Sequence, residues 1–255
     1  MKIFSFLLIH ILFCSTGINA HELWIEANDY NNQEKLAAHI KVGQNLIGES
    51  YPFINEETEK LILQTKNNNK LIKQYDGDYP AIQQNINKNE LGYLYYQSNK
   101  VFLEYENKAK FKEFIDEYDL KTSKIKSNQP TEIYQRFAKI IFNYKNNKFY
   151  VSKSTLDFEI INLNNPASNN KAQIKIVLDN QPFKNKTFLV FYKNKQESFF
   201  KKNSTDSDGF ANIDISKRGL YLISAVDLKK TNSLDKLRYK SNFFSRWASL
   251  TFFKD

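Results

Sequence analysis

From residue 21 to about residue 105 the pattern of apolar and polar side chains is strand-like. Leu36, Ala38, Ile40 and Val42 share one face of an extended segment, and Ala37, His39 and Lys41 share the other. This is the period-2 signature of a half-buried strand. Lys60 to Thr65 and Lys70 to Tyr75 flank the polar Asn67, Asn68 and Asn69 and predict a hairpin. Asp76 to Pro80 has turn chemistry, and Gly92 to Tyr96 and Lys100 to Tyr105 predict two more strands around Ser98 and Asn99. The period then changes. Phe111, Phe114, Ile115 and Tyr118 fall at helical spacing within Lys108 to Tyr118. Ile133, Phe137, Ile140 and Ile141 do the same within Glu132 to Phe142, entered through Pro130 with Thr131 placed to cap. Two short helices over 108–142 are therefore expected.

Strand-like runs return at Phe149 to Ser152 and Leu156 to Asn162. Asn164 to Asn170 has the composition of a linker. Beyond it, short runs at Ala172 to Leu178, Thr187 to Tyr192, Phe210 to Ile215, Leu220 to Val226 and Trp247 to Phe253 predict close-spaced strands. Turn residues at Asp179-Asn180, Asp206 to Gly209 and Arg218-Gly219 separate the first four. The pattern predicts a mostly β chain. An N-terminal β-rich domain over 21–163 carries the helical insertion, and a C-terminal β-sandwich of immunoglobulin-like or transthyretin-like type follows over 171–255.

The first 20 residues change the picture by fixing a compartment. Lys2, the apolar stretch from Ile3 to Phe13 and the small residues Ser15, Thr16, Gly17 and Ala20 read as a secretory signal peptide. The apolar run is shorter than the roughly 20 residues a membrane span needs. Cleavage after Ala20 makes His21 the first mature residue; cleavage after Gly17 is the rival. Cys14 is the only cysteine and leaves with the leader. Phe13 stands before it where lipoprotein processing wants a small residue. A mature chain without thiols has neither disulfide nor thiolate chemistry, and its apolar core must hold it. A periplasmic protein that does not itself span the membrane is the expectation.

The formal charge is +9, from 37 Lys and Arg against 28 Asp and Glu, and losing Lys2 takes it to +8. The lysines are scattered among asparagines, as in Lys66 to Lys70 and Lys145 to Lys148, with no arginine cluster. That pattern describes a solvated surface and points away from nucleic acid.

Candidate chemistry concentrates at His21. A terminal histidine offers its α-amine and a ring nitrogen to one metal ion, and one further imidazole would complete a three-nitrogen brace. Such donors suit nickel, zinc and above all copper. His39 is the other histidine of the mature chain, and it lies on the polar face of its segment. Glu22, Glu26 and Asp29 are placed to add oxygen ligands or a supporting shell. The bland alternative keeps His21 as a terminus without a role and His39 as an ordinary surface residue. Asp206 to Gly209 resembles part of a calcium loop but lacks its later acidic ligand, and a turn accounts for it better. Tyr93, Tyr95 and Tyr96 fit packing better than a sugar platform. With so few histidines and no nucleophile elbow, phosphate loop or dinucleotide fingerprint, hydrolase and nucleotide chemistry are disfavoured.

Three stretches in order carry a resemblance. They are the leader followed by His21 to Glu26, the segment Glu132 to Lys139, and the C-terminal run from Asn180 through Thr205 to Ala211 and Gly219 to Leu222, ending at Arg246 to Phe252. Together they resemble a secreted bacterial family of unknown-function proteins linked to nickel and cobalt uptake transporters. The resemblance implies a periplasmic, non-enzymatic protein. Its mature chain would begin at His21 and hand nickel or cobalt to an inner-membrane uptake transporter. His21 and His39 would supply nitrogens, with Glu22 or Asp29 in support. The alternatives are a copper carrier or polysaccharide oxidase of histidine-brace type, and a β-sandwich module binding carbohydrate or acting in adhesion.

Overall fold

A computed structural model describes residues 21–31, 33–122 and 124–255. The expected signal peptide at 1–20 lies outside the described residues. Strands β1 (Glu22–Ala27), β2 (Lys35–Gln44), β3 (Ile47–Tyr51), β4 (Thr58–Thr65), β5 (Asn69–Leu71), β6 (Ile82–Asn85), β7 (Gly92–Ser98) and β8 (Val101–Glu104) precede helix α1 (Lys108–Glu117). Strands β9 (Thr131–Phe142), β10 (Phe158–Asn162), β11 (Lys171–Leu178), β12 (Gln181–Pro182), β13 (Thr187–Lys193), β14 (Ser198–Ser204), β15 (Phe210–Asp214) and β16 (Gly219–Lys230) follow. Helix α2 (Ser233–Tyr239) and β17 (Phe243–Lys254) end the chain.

The strands form three sheets. The central one has nine strands in the order β14-β13-β16-β17-β9-β7-β4-β5, with β8 also paired to β9. A four-stranded sheet of β1, β2, β3 and β6 covers one face, and a second one of β10, β11, β12 and β15 covers the other. Alternation along β9 shows this directly. The Arg136 guanidinium reaches the carbonyl just ahead of β1, whereas the Lys139 ammonium, an odd number of residues on, reaches Glu159 in β10. The chain is thus mostly β with a C-terminal sandwich, as the spacing of the apolar runs predicts.

The expected helix over Glu132 to Phe142 is instead the twelve-residue strand β9. It lies between β17 and β7 with sheets stacked on both faces, so almost every side chain from Phe137 to Phe142 is buried. A strand buried on both faces loses its period-2 pattern, and helical spacing among its apolar residues is then accidental. The other expected helix is α1, capped by the Asn107 side chain accepting from the Lys110 N–H. The second helix of the fold is α2, which carries no apolar face toward the core.

Nor does the Asn164 to Asn170 stretch interrupt the core. Strand β17 pairs in parallel with β9 from Phe243 opposite Glu132 to Thr251 opposite Ile140, so both halves of the chain share the central sheet. Phe149 to Ser152, expected as a strand, is irregular. Tyr150 sets its ring edge-on to Tyr93 at 5.5 Å and accepts the Tyr93 hydroxyl at its carbonyl. Tyr93, Tyr95 and Tyr96 are all buried in packing. Asp206 makes the expected turn, its carboxylate accepting from the N–H groups of Asp208 and Phe210.

Candidate functional site

Strand β1 enters the fold with its carbonyl side already held. Arg136 donates to the His21 carbonyl at 3.0 Å, and its guanidinium lies 4.5 Å from the Tyr134 ring centroid. His21 is half-buried, and burial together with the nearby guanidinium lowers the affinity of its ring for a proton.

Glu22, next along, is buried. Its Oε1 accepts the Tyr118 hydroxyl at 2.8 Å, and Tyr118 is joined to Ser224 at 2.9 Å. A hydroxyl has one proton, so Ser224 donates to Tyr118 and Tyr118 to Glu22. Glu22 Oε2 has no hydrogen-bond partner among the described residues. Burial pushes this carboxyl up to about 7, with Tyr118 pulling the other way.

A matching carboxyl stands on β9. Glu132 is fully buried, with Oε2 accepting from Tyr105 at 2.8 Å and Oε1 from Ser245. Trp247 Nε1 donates to the same Ser245 hydroxyl at 2.8 Å. Burial pushes Glu132 up to about 7 as well. The two networks meet through aromatic rings, Tyr118 packing edge-on to Trp247 at 5.5 Å and Phe114 stacking on it at 5.0 Å. Helix α1 supplies Phe111, Phe114 and Ile115 to this second core, with Tyr118 at its C-cap.

The residues singled out for metal binding fall at separate places. In the β1–β2 ladder Glu22 lies opposite Gly43 and Glu26 opposite His39. His39 is thus five positions along β1 from His21, roughly 16 Å at about 3.3 Å per residue. By alternation the two are also on opposite faces of the sheet. Two imidazoles on one ion must each bring a nitrogen to about 2 Å from it, so His21 and His39 do not share a site. His39 instead packs edge-on against Tyr79 at 5.2 Å, beside the Lys41–Glu26 ion pair. Its Nδ1 is buried without a hydrogen-bond partner among the described residues. Trp24, across from Lys41, donates to Glu26 at 3.0 Å.

The Glu22 carboxyl points to Tyr118, away from the Leu23 side on which His21 falls. Asp29 lies past the far end of β1, its carboxylate accepting the Asn31 N–H at 3.1 Å. There it lines a polar cleft of about 450 Å³ with Lys145, Arg218 and Asp255. Among the described residues, no three His, Cys, Asp or Glu side chains converge as a metal site.

Sequence reading missed Arg136, Glu132 and Tyr118 as companions of the N-terminal stretch. The available signal was three charged residues, Glu132, Arg136 and Lys139, inside an otherwise apolar run.

The family model for a domain of unknown function, DUF4198, matches residues 18–227. The chain belongs to the DUF4198 family. No curated protein matches it. The matched part of this DUF4198 chain holds His21, Glu22, Tyr118, Glu132 and Arg136, while α2 and the central strand β17 lie beyond it. Among the described residues no helix is long and apolar enough to cross a membrane.

Proposed function

We propose that this DUF4198 chain is a secreted, non-enzymatic carrier of a divalent transition metal, with His21 as its chelating residue. The observation that carries the reading is the Arg136 bond to the His21 carbonyl. It holds the main chain at the point where leader removal after Ala20 would expose the α-amine, so the amine and the ring are presented from a fixed backbone. Preorganisation of this kind lowers the ordering cost of chelation.

His21 alone supplies donors here. His39 and Asp29 lie at the other end of β1, and Glu22 is committed to Tyr118. Two nitrogens leave most coordination positions to water or to donors of a partner, which suits an ion that is passed on. Nickel or cobalt, delivered to an inner-membrane uptake transporter in the periplasm, is the cargo favoured by the resemblance to transporter-linked proteins, and copper is the alternative.

The test is calorimetric titration of the mature protein, its His21 terminus verified by mass spectrometry, with nickel, cobalt, copper and zinc. Stoichiometric binding that one extra residue before His21 abolishes is the expected result, and the ranking of metals chooses the cargo. Binding indifferent to the extra residue would sink the terminal chelate.

A further inference from the structure

Helix α2 is built against the usual direction of a surface helix. Its acidic side chain faces inward, Asp235 accepting from Lys100 at 2.9 and 3.1 Å. Its leucines face outward: Leu234 and Leu237 are 80% and 82% exposed, and none of the helix's residues is buried. Residues three apart share a helix face, so the two leucines form one protruding apolar knob. Single exposed leucines are ordinary, but this pair is flanked by Lys236 and Arg238, while the one acid of the helix, Asp235, is bonded to Lys100.

Beside α2 lies a cleft of about 430 Å³ whose lining includes Lys124, Lys126, Lys230 and Lys236, with Ile125 and Phe243. None of the four ammonium groups forms an ion pair or hydrogen bond with a described residue, and no described Asp or Glu lines the cleft. Arg238 and Lys240 add charge at the helix end. What sets the cleft apart is the gathering of four cations with two apolar side chains in one place.

We infer that the α2 corner is a membrane-docking surface, with Leu234 and Leu237 entering the interface of an anionic lipid bilayer and the four lysines taking its phosphate headgroups. A helix with apolar side chains on one side and cations around it binds lipid through both terms together. Juxtaposed lysines gain from the negative surface potential of such a bilayer. The pairing of apolar and cationic side chains selects lipid over an acidic protein, because an anionic bilayer offers an apolar interior for the leucines and phosphates for the ammonium groups at once. The inference does not depend on the metal reading.

The experiment is flotation of the mature protein with phosphatidylcholine vesicles, with and without phosphatidylglycerol, at low and raised salt. Binding is expected only with phosphatidylglycerol. L234S/L237S should weaken partitioning by at least about tenfold, and Lys→Gln at the four cleft positions should lower it to the phosphatidylcholine level. None of the six side chains makes a hydrogen bond or ion pair with a described residue, so circular dichroism and melting should be unchanged. No flotation with phosphatidylglycerol overturns the inference. So does binding that ignores the leucine pair, or equal competition by soluble glycerol phosphate or polyglutamate, which would make the cleft a site for dissolved anions or acidic protein.

Discussion

Strand β9 buries charge on both of its faces, and the two faces handle it differently. Toward β10, Lys139 is paired with Glu159 at 2.8 Å and also donates to Ser152. Its ammonium lies about 5 Å from the Tyr93 and Tyr95 ring centroids (4.8 and 5.2 Å). The second Glu159 oxygen accepts the N–H groups of Thr155 and Leu156. Toward α1, Glu132 and Glu22 form no ion pair with a described residue, and the side chains bonded to them are the hydroxyls of Tyr105, Ser245 and Tyr118. A buried ion pair with both carboxylate oxygens bonded is a fixed structural unit. A buried carboxyl with neutral donors keeps its proton to higher pH. One face is therefore locked and the other titrates.

The largest effect should come from unbalancing the locked face. Lys139→Met leaves the Glu159 charge buried beside apolar side chains, and loss of one partner of such a pair costs roughly 3–5 kcal/mol. Adding Glu159→Gln keeps an oxygen for the Thr155 and Leu156 N–H groups while removing the stranded charge. Urea unfolding should show the double variant more stable than Lys139→Met alone. A double variant no better than the single one would mean that the loss is one of packing rather than of charge.

The same strand explains what the sequence could and could not reveal. Where one face meets solvent or a helix, alternation was readable: β2 follows its pattern with Leu36, Ala38 and Ile40 buried, and loses it only at Val42, which is half-buried like Lys41 beside it. Helix α1 shows its Phe111, Phe114 and Ile115 stripe plainly. Strand β9 did not, because cover on both faces removes the periodicity that separates strand from helix. Strand β14 failed for the opposite reason, since at the edge of the central sheet it is polar and exposed, buries no side chain and carries no apolar alternation. At the candidate site His21 and its strand were legible, while its separation from His39 depends on register, which local sequence does not encode. Arg136 was invisible because its role requires a contact across 115 residues of chain.

The titrating face predicts a pH slope. Glu132 rises from an ordinary 4.5 to about 7 on folding. Between those values the native state holds more protons than the unfolded chain, so stability falls as pH rises through the window and levels off above it. The full drop is about 3 kcal/mol for this group. Glu22, also pushed to about 7, adds a slope of the same sign. Glu132→Gln should remove about half of the decline between pH 5 and pH 8 in denaturant titrations. A Glu132→Gln protein with the wild-type slope would show that Glu132 ionises freely in the fold.

The smallest effect sharpens the contrast between the two faces. Tyr105→Phe keeps the ring packed on Phe111 at 4.8 Å but removes the hydroxyl bonded to Glu132 Oε2. Ser245 still donates to Oε1, so the carboxyl keeps one of its two donors. Hydrogen bonds to a charged group contribute more than bonds to a neutral one. The loss should therefore be about 1–2 kcal/mol at pH 8, where Glu132 is ionised, and smaller at pH 5, where it is protonated. Melting at the two pH values separates the cases. An equal loss at both would mean that the Tyr105 hydroxyl serves packing alone and that the carboxylate form does not depend on it.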